Sequence, residues 1–178
     1  MAQPRIILFG PPGAGKSSLL GALAASPTLK GKLVEKSGQL EQLQRATYQG
    51  KLKSTGELEA YDIRLDGDAK AAATLLDCSG KEASELLQAE QPFAERHEMN
   101  RPILDADAVL LTVNAALPTK QLHEQFEQFG RWLNQLHETR GWRLDVGTLP
   151  VYLVLTHCDQ LARPEDSFSQ WMQRIEEG

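Results

Sequence analysis

Apolar residues follow two patterns along this chain. Short continuous runs (Ile6-Ile7-Leu8-Phe9, Val109-Leu110-Leu111-Thr112-Val113 and Val151-Tyr152-Leu153-Val154-Leu155) have the length and β-branched content of central strands covered on both faces. Residues 58–65 alternate instead, with Leu58, Ala60, Ile63 and Leu65 set among charges, which predicts an edge strand. Asp66-Gly67-Asp68 then supplies a turn, and residues 72–76 return as another buried strand. Helical spacing predicts helices over residues 16–25, 81–91, 121–139 and 165–176. In the third, Leu122, Phe126, Phe129, Leu133 and Leu136 fall at three- and four-residue steps, one apolar face. Residues 26–55 hold neither pattern for long and read as a short helix mixed with a loop.

Strands alternating with helices imply an α/β fold, a mostly parallel sheet with helices on both faces and one antiparallel edge strand. The 178 residues suit a single domain, and 41% hydrophobic with 24% charged residues is ordinary for a globular chain. A net charge of −5 argues against a general nucleic-acid binder, which needs a basic stripe to neutralise phosphates. It does not exclude a nucleotide, because a ring of amides and one Lys can outweigh a mildly acidic surface. No apolar run approaches the roughly 20 residues that cross a bilayer, and the start shows no cleavage-site pattern. Cys78 and Cys158 are far apart and lack metal-ligand spacing, so a reducing, cytoplasmic compartment is expected.

Gly10-Pro11-Pro12-Gly13-Ala14-Gly15-Lys16-Ser17 fits G-x-x-x-x-G-K-[ST] without a mismatch, after a predicted strand and at the start of a predicted helix. Four fixed positions arise by chance in about 1% of chains of this length, and the strand–helix context lowers that further. Such a P-loop turns backbone N–H groups inward around an anion, and the helix N-terminus adds partial positive charge. Lys16 would reach the β- and γ-phosphates, and the Ser17 hydroxyl would ligate Mg²⁺. The nucleotide contacts expected of this stretch run through Gly10, Pro11, Pro12, Gly13, Ala14, Gly15, Lys16, Ser17 and Ser18.

Two further segments stand at strand ends. Asp77-Cys78-Ser79-Gly80 fits D-x-x-G, and Thr156-His157-Cys158-Asp159 is similar to the guanine-reading [NT]-K-x-D. Each alone is weak, since polar strand ends are common. Together with the P-loop they fall at the C-terminal ends of predicted parallel strands, where an open α/β sheet binds its ligand.

The set resembles a Ras-like P-loop GTPase of the translation-factor class over nearly the whole chain. Residues 149–161, Leu-Pro-Val-Tyr-Leu-Val-Leu-Thr-His-Cys-Asp-Gln-Leu, following a long helix, are similar to the GTPase domains of IcmF-like type VI secretion proteins and of bacterial double-GTPase proteins. The resemblance implies GTP/GDP and Mg²⁺ as ligands, with Thr156, His157 and Asp159 at the base and Asp159 reading the two guanine donors. It implies Asp77 holding a Mg²⁺-bound water, the Gly80 amide on the γ-phosphate, and a switch-loop threonine on the metal. Thr55 is the candidate for that threonine, 22 residues before Asp77, with Thr47 as the fallback.

The chain departs from the pattern in three places. Lys81 stands where Ras carries the Gln that orients the attacking water, so slow or partner-dependent hydrolysis is expected, with Glu82 or a protein partner as the substitute. His157 replaces the Lys that packs along the base. The base-contacting S-A-[KL] loop is not present by Gly178, so residues 1–178 read as one small-GTPase-like domain without the family's last strand and helix. The leading expectation is a GTP-hydrolysing switch with a protein partner or activating factor. The alternatives are a nucleotide-binding module of little turnover and a P-loop kinase. The kinase shares the loop Phe9 to Lys16 but would need an arginine-rich lid, and only scattered arginines are present.

Overall fold

The computed structural model describes residues 3–25, 33–35, 38–49, 58–65, 68–94, 99–141, 149–162, 165 and 167–177. A six-stranded sheet organises them. Its strands are β1 (Arg5–Phe9), β2 (Leu33–Glu35), β3 (Glu59–Leu65), β4 (Asp68–Asp77), β5 (Ala108–Asn114) and β6 (Val151–Thr156), in the order β2-β3-β4-β1-β5-β6. The pairs β4–β1, β1–β5 and β5–β6 are parallel, and β3 runs antiparallel to both of its neighbours. The fold is a P-loop α/β fold, mostly parallel, as the alternation of elements predicts.

Among the described residues six α-helices accompany the sheet: α1 (Lys16–Ala25), α2 (Gln39–Tyr48), α3 (Gly80–Gln88), α4 (Asn100–Leu104), α5 (Thr119–Arg140) and α6 (Phe168–Glu177). Strand β1 shows why both sheet faces need cover. Its side chains alternate, so Ile7 and Phe9 join the core under α3, α4 and α5, while Ile6 and Leu8 join the core under α1 and α2. Trp132 of α5 anchors the first core, fully buried and stacked on Phe9 with ring centroids 4.2 Å apart. Such a pair contributes about 0.5–1.5 kcal/mol beyond area burial. On the opposite face Leu20 of α1 and Leu40 of α2 close over Leu8, Tyr61 and Leu75.

The structure corrects several boundaries and faces. The antiparallel strand β3 lies one place in from the edge, because β2, which the pattern of residues 26–55 did not reveal, pairs along its outer side. Helix α2 is the short helix expected in that stretch. Strand β6 is not a central, doubly covered strand. It is an edge of the sheet, with Val151, Tyr152, Leu153 and Leu155 between 40% and 57% exposed. Apolar content alone cannot tell a buried strand from an edge, since cover depends on which helices arrive over it. On α5 the buried stripe is Gln125, Phe129, Trp132, Leu136 and Arg140, so the predicted face is rotated and Phe126 lies at its exposed flank. Of its two polar members, buried Arg140 donates from Nη1 to the carbonyls of Leu104 and Ala106, both at 2.9 Å, closing the C-terminal end of α4. Among the described residues no helix is long and apolar enough to cross a membrane.

Candidate nucleotide site

The register of the sheet brings the three motifs to one edge. Leu8 pairs with Asp77 and Phe9 with Leu111, while Asn114 pairs with Thr156, so β1, β4, β5 and β6 all end on the same side. The chain leaves β1 through α1 under one face, and β5 lies on the other flank of β1 with α5 on the opposite face. The P-loop therefore sits where the strand order reverses, the usual ligand crevice of an open α/β sheet.

Within the loop, Gly13 and Gly15 adopt left-handed φ values of 76° and 81°. Gly15 is constrained twice, because a Cβ there would also stand 3.0 Å from Thr156 Cβ. The Ala14 N–H donates to Pro11 O at 3.2 Å, and α1 starts at Lys16. Lys16 is buried, and its Nζ donates to Gly10 O at 2.7 Å and Pro11 O at 3.3 Å. Burial draws the ammonium below its ordinary value, while the nearby Asp77 and Cys78 pull it upward. An anion placed in the loop would supply the negative charge that burial makes this cation need.

Ser17 and Asp77 meet at the foot of the loop, with the Ser17 hydroxyl donating to Asp77 Oδ2 at 3.2 Å. Asp77 is fully buried. A hydroxyl and a carboxylate side by side at the foot of a phosphate loop are hard oxygen donors of the kind Mg²⁺ takes alongside phosphate oxygens. The residues present fit that ion. Among the described residues no group of three or more His, Cys, Asp or Glu side chains could hold a metal without such help.

Asp77 also has a carboxylate opposite it, since Glu59 is its cross-strand partner in β3. The Glu59 carboxylate accepts a hydrogen bond from the buried Tyr61 hydroxyl, and burial together with Glu59, Asp77 and Glu35 raises the Tyr61 pKa. Cys78 is buried and its thiol pushed up by burial and by Asp77, which makes it an inert filler rather than a nucleophile. Strands β1 and β5 lie between β4, which it follows, and β6, which Cys158 follows.

Helix α3 begins directly at Gly80, so the Gly80 amide is among those a helix leaves without an internal partner. Gly80 lies against the P-loop backbone, a Cβ there falling 2.8 Å from Pro12 Cα. Lys81 points elsewhere: its side chain is 85% exposed and its Nζ lies 3.9 Å from Glu85 Oε1. Glu82 is half-buried in the first helical turn, with its Oε2 shielded and without a hydrogen-bond partner.

At the far side of the loop, Thr156 Oγ1 lies 2.8 Å from Ala14 O and 3.0 Å from Val113 O, so the last motif braces the first. His157 follows in a left-handed conformation and caps the short 3₁₀ turn Cys158–Leu161, whose exposed Asp159 opens toward solvent. Helix α6 is held to that turn by Trp171, whose Nε1 donates to Cys158 O at 2.9 Å.

Thr55 lies outside the described residues, as do Arg96, His97 and Trp142, and Thr47 falls within the regular helix α2. Ser18 belongs to the first turn of α1. His123 and His137 are exposed on α5, and Arg101 is exposed and 3.7 Å from Asp105. One residue that sequence reasoning passed over is Thr112. Its hydroxyl donates to Phe9 O at 3.2 Å, and it packs where a Cβ on Gly10 would fall, 2.5 Å from Oγ1. A single hydroxyl inside an otherwise apolar strand was the available signal.

The sheet order, the P-loop at its switch point and the Ser17–Asp77 pair define a P-loop nucleoside triphosphatase domain. The chain belongs to the family described as 50S ribosome-binding GTPase, whose sequence profile matches residues 5–144. It therefore carries a guanine-nucleotide-binding GTPase domain. The match stops before Thr156 and Asp159. Among solved structures the chain is similar to GTP-bound IFT22 of T. brucei, at 17% identity and a TM-score of 0.34, over 72% of this chain. It spans 56% of that protein's length, and a likeness this slight does not bear on function. No curated protein matches the chain.

Proposed function

We propose that this protein is a Mg²⁺-dependent, slowly hydrolysing GTP switch that works with a protein partner in the cytoplasm. The carrying observation is the junction of all three motifs: Ser17 bonded to Asp77 on one side of the P-loop and Thr156 bonded to Ala14 on the other. A change in the phosphates at Gly10–Ser17 would be felt at once by the D-x-x-G helix and by the base-reading turn.

In this reading the loop amides and Lys16 hold the β- and γ-phosphates, Ser17 and Asp77 hold the ion, and Gly80 presents its amide to the γ-phosphate. Thr55 is proposed as the remaining metal contact. The ion, when bound, neutralises charge that develops on the phosphate oxygens. Asp159 pairs with the two guanine donors, and an acceptor pair rejects adenine. Lys81 lacks a lone pair with which to accept a hydrogen bond from the attacking water, so turnover by the isolated chain is slow. Glu82 or a residue from the partner supplies that acceptor. The segment 149–161 supports kinship with IcmF-like and double-GTPase proteins, and the domain is read as one unit.

Analysis of nucleotide released from the purified protein tests the guanine assignment, and Lys16→Ala tests the loop. Loss of GTP affinity by well over tenfold is expected, because three phosphates would face the loop without a side-chain cation. Affinity kept within about tenfold would refute the phosphate assignment. A protein that binds GTP and shows no Mg²⁺-dependent turnover under any condition would favour the nucleotide-binding module.

A further inference from the structure

We infer that Gln125 of α5 is a positioning residue for hydrolysis, its side-chain amide holding the Glu82 carboxylate of α3 as the acceptor for the attacking water. The inference rests on the proposed GTP site with Glu82 in that role, and it names what aims the carboxylate.

Two side-chain oxygens on α3 and α5, Glu82 Oε2 and Gln125 Oε1, are shielded from water and have no hydrogen-bond partner among the described residues. Gln125 as a whole is only 7% exposed. Shutting such atoms away unpaired is costly, most of all for a carboxylate, and marks a place that a donor would complete.

The placement of the helices brings the two together. Strands β4 and β5 end on the same side of the sheet, and α3 and α5 run back from that side over one face, packed on each other. Their heights are tied at the far end, where Gln135 Nε2 donates to Glu90 O at 2.7 Å. Glu82 lies eight residues before Glu90 and Gln125 ten before Gln135, so the two stand within about 3 Å of the same level at the helical rise. Their stripes match as well. Glu82, buried Leu86 and Glu90 follow at four-residue steps, and buried Gln125 and Trp132 share one stripe of α5 with Gln135. Glu82 also adds to the upward pull on the Cys78 thiol, which puts its charge near the end of β4 that carries Asp77.

Half a revolution about the last side-chain bond of Gln125 keeps the outline of the carboxamide and replaces the shielded acceptor by an N–H donor. That donor and Glu82 Oε2 then satisfy each other, and a charge-assisted bond of this kind fixes the carboxylate. Oε1 is left to accept from a water, two residues beyond the Gly80 amide. In the step it serves, the water oxygen bonds to the γ-phosphorus as the bond to the bridging oxygen breaks, and GDP keeps that electron pair. The water proton passes to Glu82 and from there to the released phosphate.

The test uses Gln125→Met, which keeps the length of the side chain and removes the donor, alone and combined with Glu82→Gln. Single-turnover GTP hydrolysis and GTP affinity are measured with Mg²⁺. The Gln125 side-chain amide, identified by its absence in Gln125→Met, is followed by NMR. Gln125→Met should slow hydrolysis about tenfold and leave GTP affinity within about twofold of wild type. It should add no further loss once Glu82 is replaced, and the amide signal should move in Glu82→Gln. Hydrolysis by Gln125→Met within about twofold of wild type would overturn the inference, as would an equal loss in both backgrounds or an amide signal indifferent to Glu82→Gln. If Gln125→Met does not fold, the peptide-resolved amide comparison of wild type with Glu82→Gln decides alone. Glu82→Gln that hydrolyses GTP as fast as wild type would remove Glu82 as the acceptor and this inference with it, and leave the GTP site standing. Wild-type protein that binds GTP without turnover would overturn the hydrolysing reading itself, and this inference too.

Discussion

Gly80 lies so close to Pro12 that a Cβ added to it would stand 2.8 Å from the Pro12 Cα and N. Those are backbone atoms, which cannot swing aside as the tip of a side chain would. Gly80→Ala should therefore push the start of α3 off the P-loop and destabilise the protein by about 1–3 kcal/mol. At this chain length that is a fall in Tm of about 2–4 °C per kcal/mol. Gly130 is the internal comparison, exposed in the middle of α5 with nothing near its would-be Cβ. Gly130→Ala should stabilise by about 0.5–1 kcal/mol through helix propensity. Thermal unfolding of both variants decides it, and equal behaviour would show that Gly80 does not touch the loop.

Lys16 sets a pH dependence whose sign can be worked out. Burial lowers its pKa below the ordinary 10.5, against the raising influence of Asp77 and Cys78. Between the lowered value and 10.5 the unfolded chain binds the Lys16 proton more fully than the folded one, so Lys16 adds stability to the empty protein as pH rises through that window. A bound polyphosphate raises the pKa again, so binding takes up protons there, more strongly as pH increases from neutral. Calorimetric titration with GDP in two buffers of different ionisation enthalpy measures the uptake. Proton release on binding at alkaline pH would contradict this account of the lysine.

Asp159 stands exposed on the 3₁₀ turn that His157 caps. Asp159→Asn should shift preference from guanine toward xanthine, since an amide can donate to xanthine's altered edge and cannot accept from both guanine donors. Competition between GDP and XDP reads the shift. Identical affinities for both nucleotides in wild type and variant would remove Asp159 from the base site.

Lys81 occupies the position of the Gln that orients the attacking water in Ras. Its side chain is in solvent beside Glu85, and exposed i,i+4 pairs contribute little. Lys81→Ala should thus leave single-turnover GTP hydrolysis within about threefold of wild type and stability almost unchanged. A tenfold or greater loss of rate would show that the lysine turns back onto the γ-phosphate during the reaction.

Much of this protein is legible without coordinates, and for a definite reason. The P-loop is a local device: a strand, a glycine-permitted turn and a helix start, all within residues 5–25, so its residue order already encodes its shape. The parallel sheet is similarly local in origin, since each apolar run with its following helix is one βαβ step. Tertiary structure decided what depends on arrival from afar. That β6 is an edge with exposed Leu153 and not a central strand depends on which neighbours lie beside it, and its composition is the same either way. The buried stripe on α5 was set by what meets it, with Arg140 drawn inside by the carbonyls at the end of α4. The link between Thr156 and Ala14 joins residues 142 positions apart. Chain order could name both motifs but could not place one hydroxyl against the other's carbonyl. Only the sheet, by setting β6 beside β5 and β5 beside β1, makes that contact.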